Sequence, residues 1–494
     1  MPGTNKKIVL AVMCLCVTLV IATVAAINIS IPKIEAGKLH PSGAQLLWIV
    51  DLYVVVFAGL LFPSGAIGDR YGRKTGLLCG LAVYSAGSVL AALAPNITVF
   101  FAARVIMGMG AAFIMPITLA VITFVFSGKE RQGAISTWSA CAAVGGGIGL
   151  LAGGAISQLL NWNAIFLLGA FVGIIALIFA AIYTPKTPPS ERPIDLPGSA
   201  LLVTCFVSLL FGIIEAPELG WLSWLDLGAF AISAGAMTAF IFSGLKRKDA
   251  LFDPRVFKKP ELRSGALGVS VSFFAMFSLY FVNAQFLQYA KGYGPLLTGL
   301  AILPATATIF TFSKLSPWFT EKFGTRTVIT SGMGCMAIGL LCLSFCGITT
   351  PYLWYALSLV LVAVGPGVSN PSFSDAIMNS FDPEKAGLGS AINDTTREVG
   401  SAIGVAVMGT FIAAIFPKKI PQPVLKLVGE KMAKGSVGDV IEKVQKVKLA
   451  PLAPNMEALK QAFTDAIHTG FRFSSLVVLI VAIVLYRWYP EKAK

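Results

Sequence analysis

The chain has 494 residues, 56% of them hydrophobic and only 13% charged, with a mean hydropathy of +0.79. That composition excludes a soluble multidomain protein and points to a polytopic membrane protein. The formal net charge of +14 would suit a nucleic-acid binder, but the bases fall mostly in short loops between apolar runs, which is the footprint of membrane topology.

Lys6 and Lys7 precede an apolar run from Ile8 to Ile31 that is longer than a signal-peptide core and lacks a convincing cleavage site, so it reads as an uncleaved first helix. Runs long enough to cross ~30 Å of hydrocarbon follow at Leu46 to Ile67, Gly76 to Ala94, Ile97 to Phe126, Ala134 to Leu160 and Ala164 to Tyr183. These make a first six-helix bundle over residues 1–183. A Pro-rich link and two additional helices, Pro197 to Ala216 and Asp226 to Leu245, occupy 184–263. A second six-helix bundle fills 264–494, with runs at Ser264 to Ala290, Leu297 to Phe319, Thr327 to Ile348, Tyr352 to Ser380, Leu388 to Phe416 and Thr469 to Tyr489. The expected fold is therefore an all-α membrane protein of fourteen transmembrane helices.

With both termini in the cytoplasm, roughly 22 Lys and Arg fall on cytoplasmic segments and about 3 on short external loops. The Lys-rich segment 417–468 is expected outside as a hairpin. Periodic apolar residues around Val440 to Val444 and Met456 to Lys460 predict short amphipathic helices within it.

Between the second and third runs, Gly65-Ala66-Ile67-Gly68-Asp69-Arg70-Tyr71-Gly72-Arg73-Lys74 crowds charges and glycines into a tight loop. Gly72 supplies backbone freedom for the turn, Gly65 allows close helix approach, and Arg70, Arg73 and Lys74 pin the loop to the cytoplasmic face. Residues Pro317 to Arg326 echo its order of acid, base, aromatic, glycine and terminal base in the second half, as expected of a transporter built from an internal repeat.

The pattern G-x-x-x-D-R-x-G-R-K resembles the loop between helices two and three of the major facilitator superfamily. Fourteen helices, with Trp48 to Tyr53, Arg104 to Ala112, Gly145 to Gly154 and Gly389 to Gly400, resemble its drug:proton antiporter branch over nearly the whole chain. The resemblance implies a gate role for Asp69 and close packing of the fifth and thirteenth helices at Gly149, Gly153, Gly154, Gly400 and Gly404. The chain departs from the family at Leu150, where a proline is usual, at Thr23, where an acid is common, and at Met107, where glutamine is common.

Ionisable groups inside a bilayer are costly and face polar interiors. Asp394 and Glu398, spaced i,i+4 on the thirteenth helix, share one face, and Arg397 sits beside them. Burial disfavours a charged carboxylate while a guanidinium favours it, so changes in hydration can load or release a proton. Glu398, one turn deeper, is the first candidate for the proton carrier; a static Asp394-Arg397-Glu398 cluster is the alternative. Asp375 and Asp51 are further buried acids that either bind a cation or tie helix ends together. Arg104, about two turns into its helix, needs a carboxylate or a ring of carbonyls. Phe277, Tyr280, Asn283 and Gln285 on the ninth helix, with Asn28 on the first, are candidates to line a cavity for lipophilic cations.

All eight cysteines lie in apolar segments and only His40 and His468 supply imidazoles, so neither a disulfide framework nor a metal site is indicated. With no G-x-x-x-x-G-K-[ST] stretch, no nucleotide cofactor is expected, and a proton gradient is the implied energy source. The expected partners are the bilayer, protons and small lipophilic cations, with no nucleic acid and a monomeric chain. The function expected is not enzymatic: a proton-coupled exporter of lipophilic, cationic drugs or antiseptics from the cytoplasmic membrane. The alternatives are a dedicated exporter of one metabolite, lipid or self-made antibiotic, and a membrane sensor or scaffold that moves nothing.

Overall fold

In hydrocarbon every backbone N–H and C=O must be paired within the protein, so apolar runs of this length close their hydrogen bonds as helices. The computed structural model describes residues 5–35, 39, 43–188, 195–246, 254–382, 385–429, 440, 444 and 453–489, and no strand occurs among them. The long helices of the first part are α1 (Lys6–Glu35), α2 (Gly43–Tyr71), α3 (Arg73–Ala92), α4 (Ile97–Val125), α5 (Gly128–Leu159) and α6 (Ala164–Tyr183). Next come α7 (Leu196–Leu219), α8 (Trp224–Lys246), α9 (Pro260–Gln285), α10 (Pro295–Phe323), α11 (Thr325–Leu343), α12 (Tyr352–Asn379) and α13 (Ala386–Lys419). A short α14 (Gln422–Val428) and a final α15 (Ala453–Trp488) complete the chain. Among the described residues, fourteen helices are long and apolar enough to cross a membrane.

The two halves are built by the same pairings. In the first, α1 packs on α5, α2 and α3 on α4, and α3 on α6; in the second, α9 packs on α13, α10 and α11 on α12, and α11 on α15. Glycines make the corresponding contacts close. A Cβ at Gly149 would lie 2.2 Å from the Ala22 carbonyl oxygen, and one at Gly400 would lie 2.1 Å from that of Ser270. Gly153 against Ala26 and Gly404 against Phe274 continue the two seams, and Gly154 is buried. Small residues of this kind let membrane helices approach backbone to backbone.

The echo of the gate stretch is also an echo in backbone geometry. Gly72 (φ 97°) precedes α3 and Gly324 (φ 79°) precedes α11, each turning the chain in a region that side-chain-bearing residues avoid. The halves meet where α5 packs on α10 and where α2 and α4 pack on α13. The α7–α8 pair leans on this junction from the side, with Phe206 stacked on Phe62 at 5.6 Å.

The structure corrects the expectation for the segment after Phe416. Helix α13 continues through Pro417 to Lys419, and Met456 to Lys460 belong to α15 instead of forming a separate amphipathic helix. At 34 and 36 residues, these helices are about 51 and 54 Å long, so both project well past ~30 Å of hydrocarbon. Their extensions bury an apolar seam of their own: Phe416 meets Phe463 edge-on at 6.3 Å, and Val424, Val440 and Val444 join the same core. Lys419 closes the rim with an ion pair to Asp465 at 2.6 Å. Continuing two helices into a joint core gives the periodic apolar residues a partner, which a lone surface helix would lack. Of the predicted Val440 to Val444 stretch, residues 441–443 lie outside the described residues.

Candidate functional site

The loop that organises the sequence sits where the two halves touch. Asp69, near the end of α2, pairs with Arg73 at 2.9 Å, and both side chains are nearly buried. Its second carboxylate oxygen accepts from the backbone N–H of Gly387, at the start of α13, at 3.0 Å. Only a glycine fits there, since a Cβ on Gly387 would lie 2.6 Å from that oxygen and from the Gly65 carbonyl. Arg73 in turn donates to the Ala120 carbonyl at 3.2 Å. Arg70 and Lys74 are half-buried at the same end.

Three residues of α5 make further contacts between the halves at this end. Arg131 on α5 approaches Asp375 on α12 at 3.6 Å and donates to Asn379, which itself bonds Asp375 at 2.9 Å. Gln132 donates to Thr320 at 3.0 Å, and the exposed Lys129 and Glu321 pair at 2.6 Å. Asp375 thus ties helix ends together. The end of the bundle that carries the gate loop is closed in this conformation.

Three turns into α13 the chemistry changes. Asp394 is buried, accepts from Asn393 at 3.1 Å and lies 3.7 Å from the Arg397 guanidinium. Arg397 donates to Ser374 of α12 at 3.1 Å and lies over the rings of Trp138 at 4.8 Å and Phe273 at 5.2 Å. Trp138 belongs to α5, so the second half's arginine is stacked on an aromatic face of the first half. Trp138 is held in turn by its indole N–H on Thr118 at 3.1 Å.

Glu398 stands apart from this network. Its side chain is half-buried. Among the described residues it makes no hydrogen bond or ion pair. The static three-residue cluster considered from sequence is therefore a two-residue pair, Asp394 with Arg397, beside an acid with no fixed partner.

Across the junction, Arg104 of α4 is fully buried, donates to the Ile49 carbonyl at 2.8 Å and lies 4.6 Å above the Tyr53 ring. A carbonyl and a ring face thus serve the cation. Thr23 shares a hydrogen bond with the buried Tyr84.

On α9, Phe273, Phe277 and Tyr280 form a half-buried stripe, Phe273 stacked on Phe277 at 6.1 Å and Phe277 edge-on to Tyr280 at 5.9 Å. Asn283 departs from the expectation of a cavity residue. It is buried and accepts from the Tyr355 hydroxyl of α12, because an amide in a low dielectric is stabilised by the nearest donor. Gln285 is half-buried and folds its amide back onto the Phe281 carbonyl at 2.9 Å. The side chains of Asp51 and Asn28 lie outside the described residues. Trp138, Ser374 and Arg131 were not singled out by sequence, since each acquires its role from a residue more than a dozen positions away.

Comparison with known proteins follows the same lines. A profile described as Major Facilitator Superfamily matches residues 13–405. A methylenomycin A resistance protein of Streptomyces coelicolor is 30% identical, over 79% of this chain and 82% of its own. A multidrug efflux pump, LfrA, of Mycolicibacterium smegmatis is 28% identical over 98% of this chain and 96% of its own. The crystal structure of the human organic anion transporter MFSD10 superposes with a TM-score of 0.64 at 12% identity, covering 97% of this chain and 99% of that one, a likeness of fold.

Proposed function

The chain belongs to the major facilitator superfamily, and from that premise we propose that it is a multi-pass membrane exporter of lipophilic, cationic drugs, driven by exchange for protons. The observation that carries the reading is Glu398: a half-buried acid without a fixed partner among the described residues, one turn from a buried Asp394–Arg397 pair, on a helix that packs on both halves. Such an acid can bind and release a proton without breaking a structural ion pair. The half-buried Phe277 and Tyr280 offer apolar and π surfaces to a delocalised cation.

The positive-inside bias puts the gate end, and both termini, in the cytoplasm. Closure there by Asp69, Gly387, Arg131 and Asp375 then corresponds to the state that presents the site outward. Opening those contacts returns the site to the cytoplasm. Each charge crossing 100 mV supplies about 2.3 kcal/mol, so a modest gradient can concentrate substrate outside.

The test is transport in reconstituted vesicles with an imposed pH gradient. Gradient-driven movement of several chemically unrelated lipophilic cations supports the reading, and no movement at any gradient sinks it. A second reading, export of one dedicated compound, draws support from the methylenomycin resistance relative and from a cephamycin export protein of Amycolatopsis lactamdurans that is 29% identical over 79% of this chain and 82% of its own. Protection of a sensitive host against a single compound favours that second reading.

A further inference from the structure

The glycine seam between α1 and α5 continues, beyond its glycines, as a pair of thiols. The two helices lie side by side in one register: Ala26 faces Gly153, Ala22 faces Gly149 and Thr18 faces Gly145, each pair one turn nearer the gate end than the last. One further turn brings Cys14 opposite Cys141. The Thr18 hydroxyl fixes that step by donating to the Cys141 carbonyl at 3.1 Å. A Cβ on Gly145 would lie 3.1 Å from the Thr18 Cα; adding one C–C bond of about 1.5 Å leaves those two Cα atoms no more than about 4.6 Å apart. Disulfides span Cα separations of about 4.4–6.8 Å, so a seam this close holds two facing cysteines within bonding reach. Both thiols are free, Cys14 buried and Cys141 half-buried, and each acts directly on the other.

A cation from the other half lies level with the pair. Helices α5 and α10 run antiparallel, with Gly147 against Thr306 at one point and Gln132 bonded to Thr320 at another. Cys141 falls between the first members of those two contacts and Lys314 between the second. The Lys314 ammonium, 5.1 Å from the Phe310 ring centroid, acts on both sulfurs. An ammonium there stabilises the negative charge carried by an attacking sulfur. The remaining thiol nearby, Cys16, is fully buried and, two residues along α1 from Cys14, points away from the pair.

We propose that Cys14 and Cys141 form a redox modification site, a reversible disulfide across the α1–α5 seam made by a hydroperoxide. The Cys141 sulfur attacks one peroxide oxygen; the O–O bond breaks, Cys141 becomes a sulfenic acid, and the leaving alkoxide takes up the thiol proton as an alcohol. The Cys14 sulfur then attacks the Cys141 sulfur; the S–S bond forms, the S–O bond breaks, and hydroxide leaves with the Cys14 proton as water. Two thiols are oxidised by two electrons and one hydroperoxide is reduced to an alcohol and water. Lys314 belongs to the second half, so the ammonium assists the step in the conformation that is closed at the gate end, and the rate of oxidation follows the conformational state. The site is separate from Glu398 and from the proton exchange proposed above.

The experiment is treatment of the full chain in reconstituted vesicles with cumene hydroperoxide, followed by blocking of the remaining thiols and mass spectrometry of a digest. The expected product is a peptide pair joined through Cys14 and Cys141 and released by dithiothreitol, with Cys16 unmodified. Cys14→Ser should halt the reaction at a Cys141 sulfenic acid that dimedone traps, whereas Cys141→Ser should leave Cys14 a thiol. Lys314→Gln, a change on an exposed side chain, should slow the joining by about tenfold. Oxidation of the exposed Cys79 shows that the peroxide reaches thiols in the vesicles. With Cys79 oxidised, the absence of a Cys14–Cys141 link, or a link from Cys141 to another cysteine, overturns the proposal. Equal rates in Lys314→Gln and the unaltered protein overturn the part assigned to the ammonium. Loss of gradient-driven efflux bears on the proposed function alone, since the link is read without transport.

Discussion

The gate contact separates into one part that any conformation keeps and one part that only the closed state has. Asp69 and Arg73 both belong to the first half, so their ion pair survives opening; the Gly387 N–H that donates to Asp69 comes from the second half, so that bond is lost. A hydrogen bond to a charged group contributes about 1.5–3 kcal/mol and one to a neutral group about 0.5–1.5 kcal/mol. Asp69→Asn should therefore cost the closed state about 1 kcal/mol, roughly a fivefold shift toward opening, and Asp69→Ala about 1.5–3 kcal/mol, roughly ten- to hundredfold. The ion pair adds nothing to this shift, but its loss leaves Arg73 buried without its acid and should lower the stability of both states by about 3 kcal/mol. The assay is the distance between spin labels at Tyr71 and Phe323, both exposed at the gate end on opposite halves, read alongside the thermal midpoint. The wide-distance population should rise in the order unaltered, Asn, Ala. A distance distribution indifferent to the substitutions, with the thermal midpoint alone falling, would refute the assignment of Asp69 to the junction.

Other expectations are as direct. Gly149→Val should drive a side chain into the Ala22 carbonyl and lower stability by about 1–3 kcal/mol in chemical unfolding, whereas Gly133→Ala, with open space around it, should change little. Trp138→Leu removes the face beneath Arg397 and should cost up to about 2 kcal/mol, seen as a lower thermal midpoint that Trp138→Phe largely restores. Tyr355→Phe should leave the Asn283 amide short of its donor and destabilise by about 1–3 kcal/mol without altering the Kd for substrate. Tyr280→Ala should weaken substrate binding and, by losing the edge-on contact with Phe277, also lower stability by about 0.5–1.5 kcal/mol or more.

What the sequence makes legible is local. Hydropathy fixes each span, and the glycine turns at Gly72 and Gly324 mark the same corner in both halves, so helix count, repeat and gate loop are readable from short windows. The i,i+3 relation of Asp394 and Arg397 is readable for the same reason, since helical geometry places them together whatever else happens. Partners brought by distant helices are another matter. Nothing near Trp138 indicates a stack under Arg397, and nothing near Asn283 indicates Tyr355, because both pairings are set by how α5, α9, α12 and α13 pack. The start of α15 was misplaced because an amphipathic stretch outside the hydrocarbon has one apolar face, whether it lies on a membrane or on the extension of α13.

The central claim, that substrate leaves as a proton enters through Glu398, is tested most directly by recording the internal pH of vesicles as a lipophilic cation is added. The account predicts a substrate-dependent proton flux in the unaltered protein and none with Glu398→Gln, while the variant still binds the cation. Proton movement of equal size in the two proteins, or substrate movement with no proton flux in either, would contradict it.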